Sequence, residues 1–104
     1  GAFRYCNEKL HNLYPNAVIC WCNPIHAALA VRPVANTVSW CDTLKKLTAC
    51  GSVNNIETER CGIFAANEVS GANGEYLADG LHPNEYGAKL IARYNAVAIT
   101  NLYN

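Results

Sequence analysis

The feature that most constrains the fold is a short apolar run, AVICWC, at residues 17–22. Its apolar residues do not alternate with polar ones, as they would in a strand with one face in water. The run therefore predicts a strand that is buried on both faces, as in a parallel sheet covered by helices. Helical patterns lie before and after it in the sequence, and this alternation favours an α/β fold.

Three segments show the spacing of three and four between apolar residues that indicates a helix. Asn36 or Thr37 is suited to cap the second helix, and Gly51 is suited to end it. Pro83 suits the first position of the third helix, where its missing N–H is not needed. The three predicted helices cover residues 3–14, 37–50 and 83–102.

The predicted strands are too few to form a sheet with a covered core. Only one further strand is expected, ending at GIF, residues 62–64, while 23–36 and 65–78 are predicted as loops. We therefore expect residues 1–104 to be the later part of a single larger domain. The chain also begins with Gly and contains no Met, which is expected of a fragment or a processed chain. Such a piece exposes a sheet edge and is predicted to be only weakly stable alone.

Composition argues against several classes of function. Eight basic and eight acidic residues give a formal charge of zero, so the basic excess that favours nucleic acids or anionic membrane surfaces is missing. The apolar runs are much shorter than the roughly 20 residues that a membrane span needs. We therefore predict no nucleic-acid partner and no membrane span.

The six cysteines do not follow a metal-binding pattern. Cys20 and Cys22 lie on one face of the predicted strand, where a thiol packs as a small hydrophobe. We interpret the thiols as mostly reduced and structural, which favours a reducing compartment, and we predict no metal and no cofactor. A redox or metal domain remains an alternative, and it predicts a bound metal or a Cys20–Cys22 bridge.

Residues 79–83, DGLHP, place an acid three residues before a histidine at the start of a predicted helix. An aspartate that accepts from one ring nitrogen leaves the other nitrogen free to take a proton from a nucleophile. Gly80 permits a tight turn between them. Asp79 and His82 are therefore candidates for an orienting acid and a general base. The same residue types form ordinary turns and caps, so the residues alone leave both interpretations open.

The longer string DGLHPNEYGAKLIA, residues 79–92, resembles the last sequence block of the SGNH, or GDSL-type, hydrolases. A second string, LYPNAVICWCNPIH at 13–26, is similar to the family segment that enters a core strand and leaves it at a Pro-containing loop. The positions that match the final block are Asp79, Gly80, His82, Pro83, Asn84, Gly87, Ile91 and Ala92.

This resemblance implies a flavodoxin-like α/β/α sandwich with a parallel sheet, of which the chain is the C-terminal half. It implies an ester hydrolase of the acyl esterase or carbohydrate deacetylase class, whose substrate is an acyl ester or an acetylated carbohydrate. His82 would be the general base and Asp79 the orienting acid of a Ser-His-Asp mechanism. His26, which follows the core strand, is a candidate for substrate binding, because ligands of such sheets bind at the carboxyl ends of strands. The other interpretation of His26 is an exposed loop histidine.

The nucleophile is where the chain departs from the family pattern. The family's Gly-Asp-Ser motif and its oxyanion-hole blocks precede the segment that resembles residues 13–26, and Ser39, Ser52 and Ser70 have no such context. The resemblance therefore implies a missing N-terminal portion of the same domain, on this or another chain, that carries the serine. The alternative is a catalytically inactive scaffold or binding module, for example in a viral or surface assembly.

Overall fold

Helices and strands alternate along the chain, as the sequence predicts. The computed structural model describes residues 1–103. Two short 3-10 turns lie between the second strand and the last helix, at Thr58–Arg60 and Ala65–Asn67. The two strands pair in parallel, which confirms the predicted α/β class with a parallel sheet. The elements in order are α1 (Ala2–Leu13), β1 (Cys20–Cys22), α2 (Val34–Cys50), β2 (Asn54–Ile56) and α3 (Glu85–Asn101).

Strand β1 is shorter than the predicted strand, and it is not buried on both faces. Cys20 and Trp21 are half-buried, whereas Val18 and Cys22 are exposed. Within the described residues β1 pairs only with β2, so its other edge has no neighbouring strand. The apolar run was a sound indicator of a strand, but the burial of a strand depends on neighbours that a two-stranded sheet does not supply.

Strand β2 lies earlier than the predicted strand, which was expected to end at residues 62–64. The prediction was wrong because the run GIF contains Gly62 with a φ of +110°, a value outside the region that a strand requires. The strand forms instead at Asn54–Ile56, where Asn54 lies opposite Cys20 in the parallel register. Ile63 is still buried, but it reaches the core from a loop.

Helix α2 begins three residues before the predicted start. Pro33 occupies the N-cap position with extended backbone angles, and no side chain caps the helix. The backbone amides of Asn36 and Thr37 donate to the Pro33 carbonyl at 3.0 and 3.3 Å, so both predicted caps lie inside the first turn. Thr37 is fully buried there. Gly51 ends the helix, as predicted.

The main apolar cluster lies between α3 and the loops that precede it. Its buried members are Cys61, Ile63 and Leu77, and α3 contributes Leu90 and Ile91 at its margin. The radius of gyration is 15.0 Å, larger than the roughly 13 Å of a compact domain of about 100 residues. The described residues therefore enclose a small core and are less compact than an ordinary domain of this length. None of their helices is long and apolar enough to cross a membrane.

Candidate active site

The candidate site begins where α3 begins, and Asn84 sets that point. Pro83 was predicted at the first helical position, but it lies outside the helix, and Asn84 is the N-cap. The Asn84 side-chain oxygen accepts from the backbone amides of Tyr86 and Gly87, both at 3.0 Å. Asparagine is among the best N-cap residues. It forms these two bonds only when the helix starts one residue after it.

The structure brings Asp79 and His82 into direct contact. One oxygen of the Asp79 carboxylate, Oδ2, lies 2.7 Å from His82 Nδ1. The other oxygen, Oδ1, accepts from the backbone amides of Leu81 and His82 at 2.9 and 2.7 Å. Gly80 adopts a φ of +85°, so this turn needs a residue without a side chain. The backbone amides of the turn therefore fix the Asp79 carboxylate, and the carboxylate in turn fixes the His82 ring.

These bonds favour the ionised form of Asp79 and set the proton position on the ring. The hydrogen bond from the His82 ring and the bonds from the backbone amides of His82 and Leu81 lower the pKa of the Asp79 carboxyl from 3.8 to about 2. An ionised carboxylate can only accept, so Nδ1 must donate. A neutral His82 then carries its proton on Nδ1 and presents an unprotonated Nε2. That is the form in which a histidine acts as a general base.

The histidine that would act as the base is largely exposed. The His82 side chain is 73% exposed and that of Asp79 is 46% exposed. Within residues 1–103 the Asp79 carboxylate is the only side chain that shares a hydrogen bond with the His82 ring. The pair is thus assembled, but it has no nucleophile in contact among the described residues. Its catalytic role stays a prediction.

The three serines are placed as turn or helix residues. Ser39 lies in α2, and Ser52 follows the end of that helix with a φ of +54°. Ser70 lies beside the turn that joins the pair, because a Cβ on Gly80 would lie 3.1 Å from Ser70 Cα. No hydrogen bond joins its hydroxyl to His82 in the part of the chain that the structure describes. None of the three takes the position of the expected nucleophile.

His26 lies in the loop between β1 and α2, and that loop contacts the Asp79–His82 turn. The backbone amide of Ala28 donates to the Gly80 carbonyl at 2.8 Å. His26 is half-buried, and its Nδ1 is buried without a hydrogen-bond partner among the described residues. The exposed-histidine interpretation is therefore wrong. Substrate binding by the His26 ring stays a prediction.

Two further residues of the matching string have structural roles that spacing alone did not reveal. The Asn84 amide nitrogen donates to the carbonyl oxygens of Gly74 and Glu75, at 3.4 and 3.2 Å, so Asn84 joins the preceding loop to the helix. A Cβ on Gly87 would overlap the carbonyl oxygen of Tyr76. Gly87 therefore lets the segment leading to Asp79 cross the first turn of α3. The glycine in the string indicated a close backbone approach at this position, but the sequence did not show that the approaching residue is Tyr76, 11 residues earlier.

The cysteines do not form a second candidate site. All six are free, and Cys41 and Cys61 are buried. Burial, followed by the effect of the nearby Glu59 carboxylate, raises the pKa of the Cys41 thiol to about 12. No group of three or more His, Cys, Asp or Glu side chains within residues 1–103 is arranged to hold a metal ion. The structure thus gives the cysteine-based alternative no support.

The fold is similar to that of an esterase domain. The chain superposes on the esterase domain of the ZfL2-1 ORF1 protein from the zebrafish ZfL2-1 retrotransposon with a TM-score of 0.71 and 16% sequence identity. The match covers 96% of this chain and 56% of the other, so this chain spans little more than half the length of that structure. No family model and no curated protein matches the chain. The expectation of an esterase-like α/β fold is confirmed.

Proposed function

We propose that this chain supplies the general base and the orienting acid of an ester hydrolase of the SGNH type. The observation that carries the proposal is the 2.7 Å contact between Asp79 Oδ2 and His82 Nδ1. It leaves Nε2 unprotonated and open to a partner at the mouth of α3. The esterase-like fold and the match of residues 79–92 to the family's last block support the same function.

The nucleophile in this proposal is a serine from polypeptide outside these 104 residues, in the N-terminal portion of the same domain. His82 Nε2 takes the hydroxyl proton as the serine oxygen attacks the ester carbonyl. The ring, now positively charged, is stabilised by the Asp79 carboxylate and then protonates the departing alcohol. Water, deprotonated by the same nitrogen, attacks the acyl-enzyme, and His82 returns that proton to the serine oxygen as the acid is released.

The substrate proposed is an acyl ester or an acetylated carbohydrate, bound beside the His82 ring. The loop that carries His26 is joined to Gly80 by a backbone hydrogen bond, which supports a role for this loop in shaping the site. The mechanism needs no metal and no cofactor. Its oxyanion donors, like the serine, are expected in the N-terminal portion.

The test is ester hydrolysis by the full-length protein that contains this chain, measured on p-nitrophenyl acetate and butyrate. His82→Ala is expected to reduce kcat/KM by at least about a thousandfold, since one missing member disables such a catalytic unit. His11→Ala, at an exposed position on α1, is the matched control and should leave the rate unchanged. A rate for His82→Ala within threefold of the unsubstituted protein would show that the assignment is wrong.

The second candidate is a scaffold that keeps the fold without the activity. The 73% exposure of His82, with no serine bonded to it within residues 1–103, is the observation that favours it. Labelling of the full-length protein with a fluorophosphonate separates the two functions. An activated serine is labelled in the unsubstituted protein and not in His82→Ala. A scaffold shows no labelled serine in either form.

A further inference from the structure

One acidic side chain near the candidate site is buried without a cationic partner. Glu68 is 9% exposed, and it is the one charged residue among the buried residues of the described chain. No lysine, arginine or histidine within residues 1–103 forms an ion pair with it. A buried carboxylate is costly unless its oxygens accept hydrogen bonds. The identity of its donors therefore indicates what Glu68 stabilises.

The donors to Glu68 are two successive backbone amides. Oε1 accepts from the Leu77 amide at 2.7 Å and from the Tyr76 amide at 3.0 Å, and Oε2 accepts from Tyr76 at 3.2 Å. Hydrogen bonds to an ionised acceptor are about twice as strong as neutral ones. A side chain on Gly74 would meet Oε1 at 2.7 Å, so the loop is closed tightly around the carboxylate.

The two amides belong to the segment that leads directly into the Asp79–His82 turn. Leu77 is fully buried, and the amide of Ala78 donates to the His82 carbonyl at 2.7 Å. The loop that follows Glu68 also bonds to the backbone of Asp79, because the Gly71 amide donates to the Asp79 carbonyl at 2.8 Å. Backbone hydrogen bonds thus connect the Asp79–His82 turn both to Gly71, shortly after Glu68, and to Ala78, directly before Asp79.

We infer that Glu68 is a positioning residue for the Asp79–His82 pair. Its carboxylate fixes the backbone at Leu77, two residues before Asp79, and this sets the position at which the turn begins. Catalytic groups must be held within about 0.5 Å of their working geometry, and the exposed pair has little side-chain packing of its own. The inference deepens the proposed function and rests on it for its effect on catalysis.

The test compares Glu68→Gln with Glu75→Gln in the full-length protein. Glutamine keeps one acceptor oxygen but loses the charge that strengthens the bonds to Tyr76 and Leu77. We expect kcat to fall about tenfold and KM to stay within about twofold, because substrate contacts are not touched. Glu75 is exposed in the same loop, and its substitution should change neither value.

A second measurement does not depend on activity. Nitrogen-15 NMR of the His82 ring reports which nitrogen carries the proton. In the unsubstituted protein and in Glu75→Gln we expect the proton on Nδ1, and in Glu68→Gln we expect a mixture of the two tautomers. If Glu68→Gln keeps both the Nδ1 proton and the full kcat, the inference is overturned.

Hydrogen exchange of the unsubstituted protein covers the case in which Glu68→Gln does not fold. The Tyr76 and Leu77 amides should then exchange far more slowly than the amide of Glu75, and exchange at an unprotected rate would also overturn the inference. The two proposals can also fail separately. If the unsubstituted protein does not hydrolyse esters, but Glu68→Gln still shifts the ring proton away from His82 Nδ1, the proposed hydrolase is refuted and the positioning role of Glu68 is retained.

Discussion

Gly87 offers the sharpest test of how the site is held, because it lies where two backbone segments cross. It is buried in the first turn of α3. A Cβ at this position would overlap the Tyr76 carbonyl oxygen and would lie 3.0 Å from its carbonyl carbon. The neighbour is backbone, so no side-chain rotation can relieve the overlap. In Gly87→Ala the segment that leads to Asp79 must move away from the helix.

Two opposing terms set the magnitude for Gly87→Ala. Alanine is favoured over glycine inside a helix by about 1 kcal/mol. Forcing an extra methyl group into a filled space costs about 1–3 kcal/mol, and the upper end applies because Tyr76 is held at both its amide and its carbonyl. The difference is a loss of about 2 kcal/mol in the free energy of unfolding.

The assay is urea unfolding of the full-length protein at 25 °C, together with ester hydrolysis under conditions where both forms are folded. Ala88→Gly is the matched control, since Ala88 is exposed in the same helical turn. It should cost about 1 kcal/mol through helix propensity alone and leave hydrolysis unchanged. Gly87→Ala should reduce hydrolysis as well, because Asp79 moves with the displaced segment. Gly87→Ala with stability equal to or above that of the unsubstituted protein would refute the reasoning, since helix propensity alone predicts a gain of about 1 kcal/mol.

Two further predictions concern ionisable groups. The pKa of Asp79 is lowered from 3.8 to about 2, so its stabilising contribution is complete above about pH 4 and is lost as the pH falls through about 2. The stability difference between the unsubstituted protein and Asp79→Asn, measured by urea unfolding, should therefore shrink from pH 4 to pH 2, and a constant difference would contradict it. Burial raises the pKa of Cys41 to about 12, so iodoacetamide at pH 8 should label exposed Cys50 well before Cys41, as read by mass spectrometry of the folded protein. Equal labelling rates would show that Cys41 is not buried.

The sequence predicted best those features that depend on neighbours a few residues apart. The first and last helices follow from apolar spacing, and the Asp79–His82 contact follows from a spacing of three across a glycine turn. It predicted less well where two local preferences compete. Pro83 and Asn84 both suit a helix start, and the side-chain bonds of Asn84 decided the boundary.

What the sequence determined by itself is the helix pattern and the Asp79–His82 contact, because each arises from residues a few positions apart. The alternation of helices and strands also indicated the parallel α/β class. Tertiary structure alone decided which residues form β2, since a strand exists only where a partner supplies its hydrogen bonds. It also decided the role of Glu68, an ordinary loop acid in the sequence that is buried by the fold against the amides of Tyr76 and Leu77. Desolvation makes those contacts strong, and desolvation is a property of the folded neighbourhood rather than of any short stretch of chain.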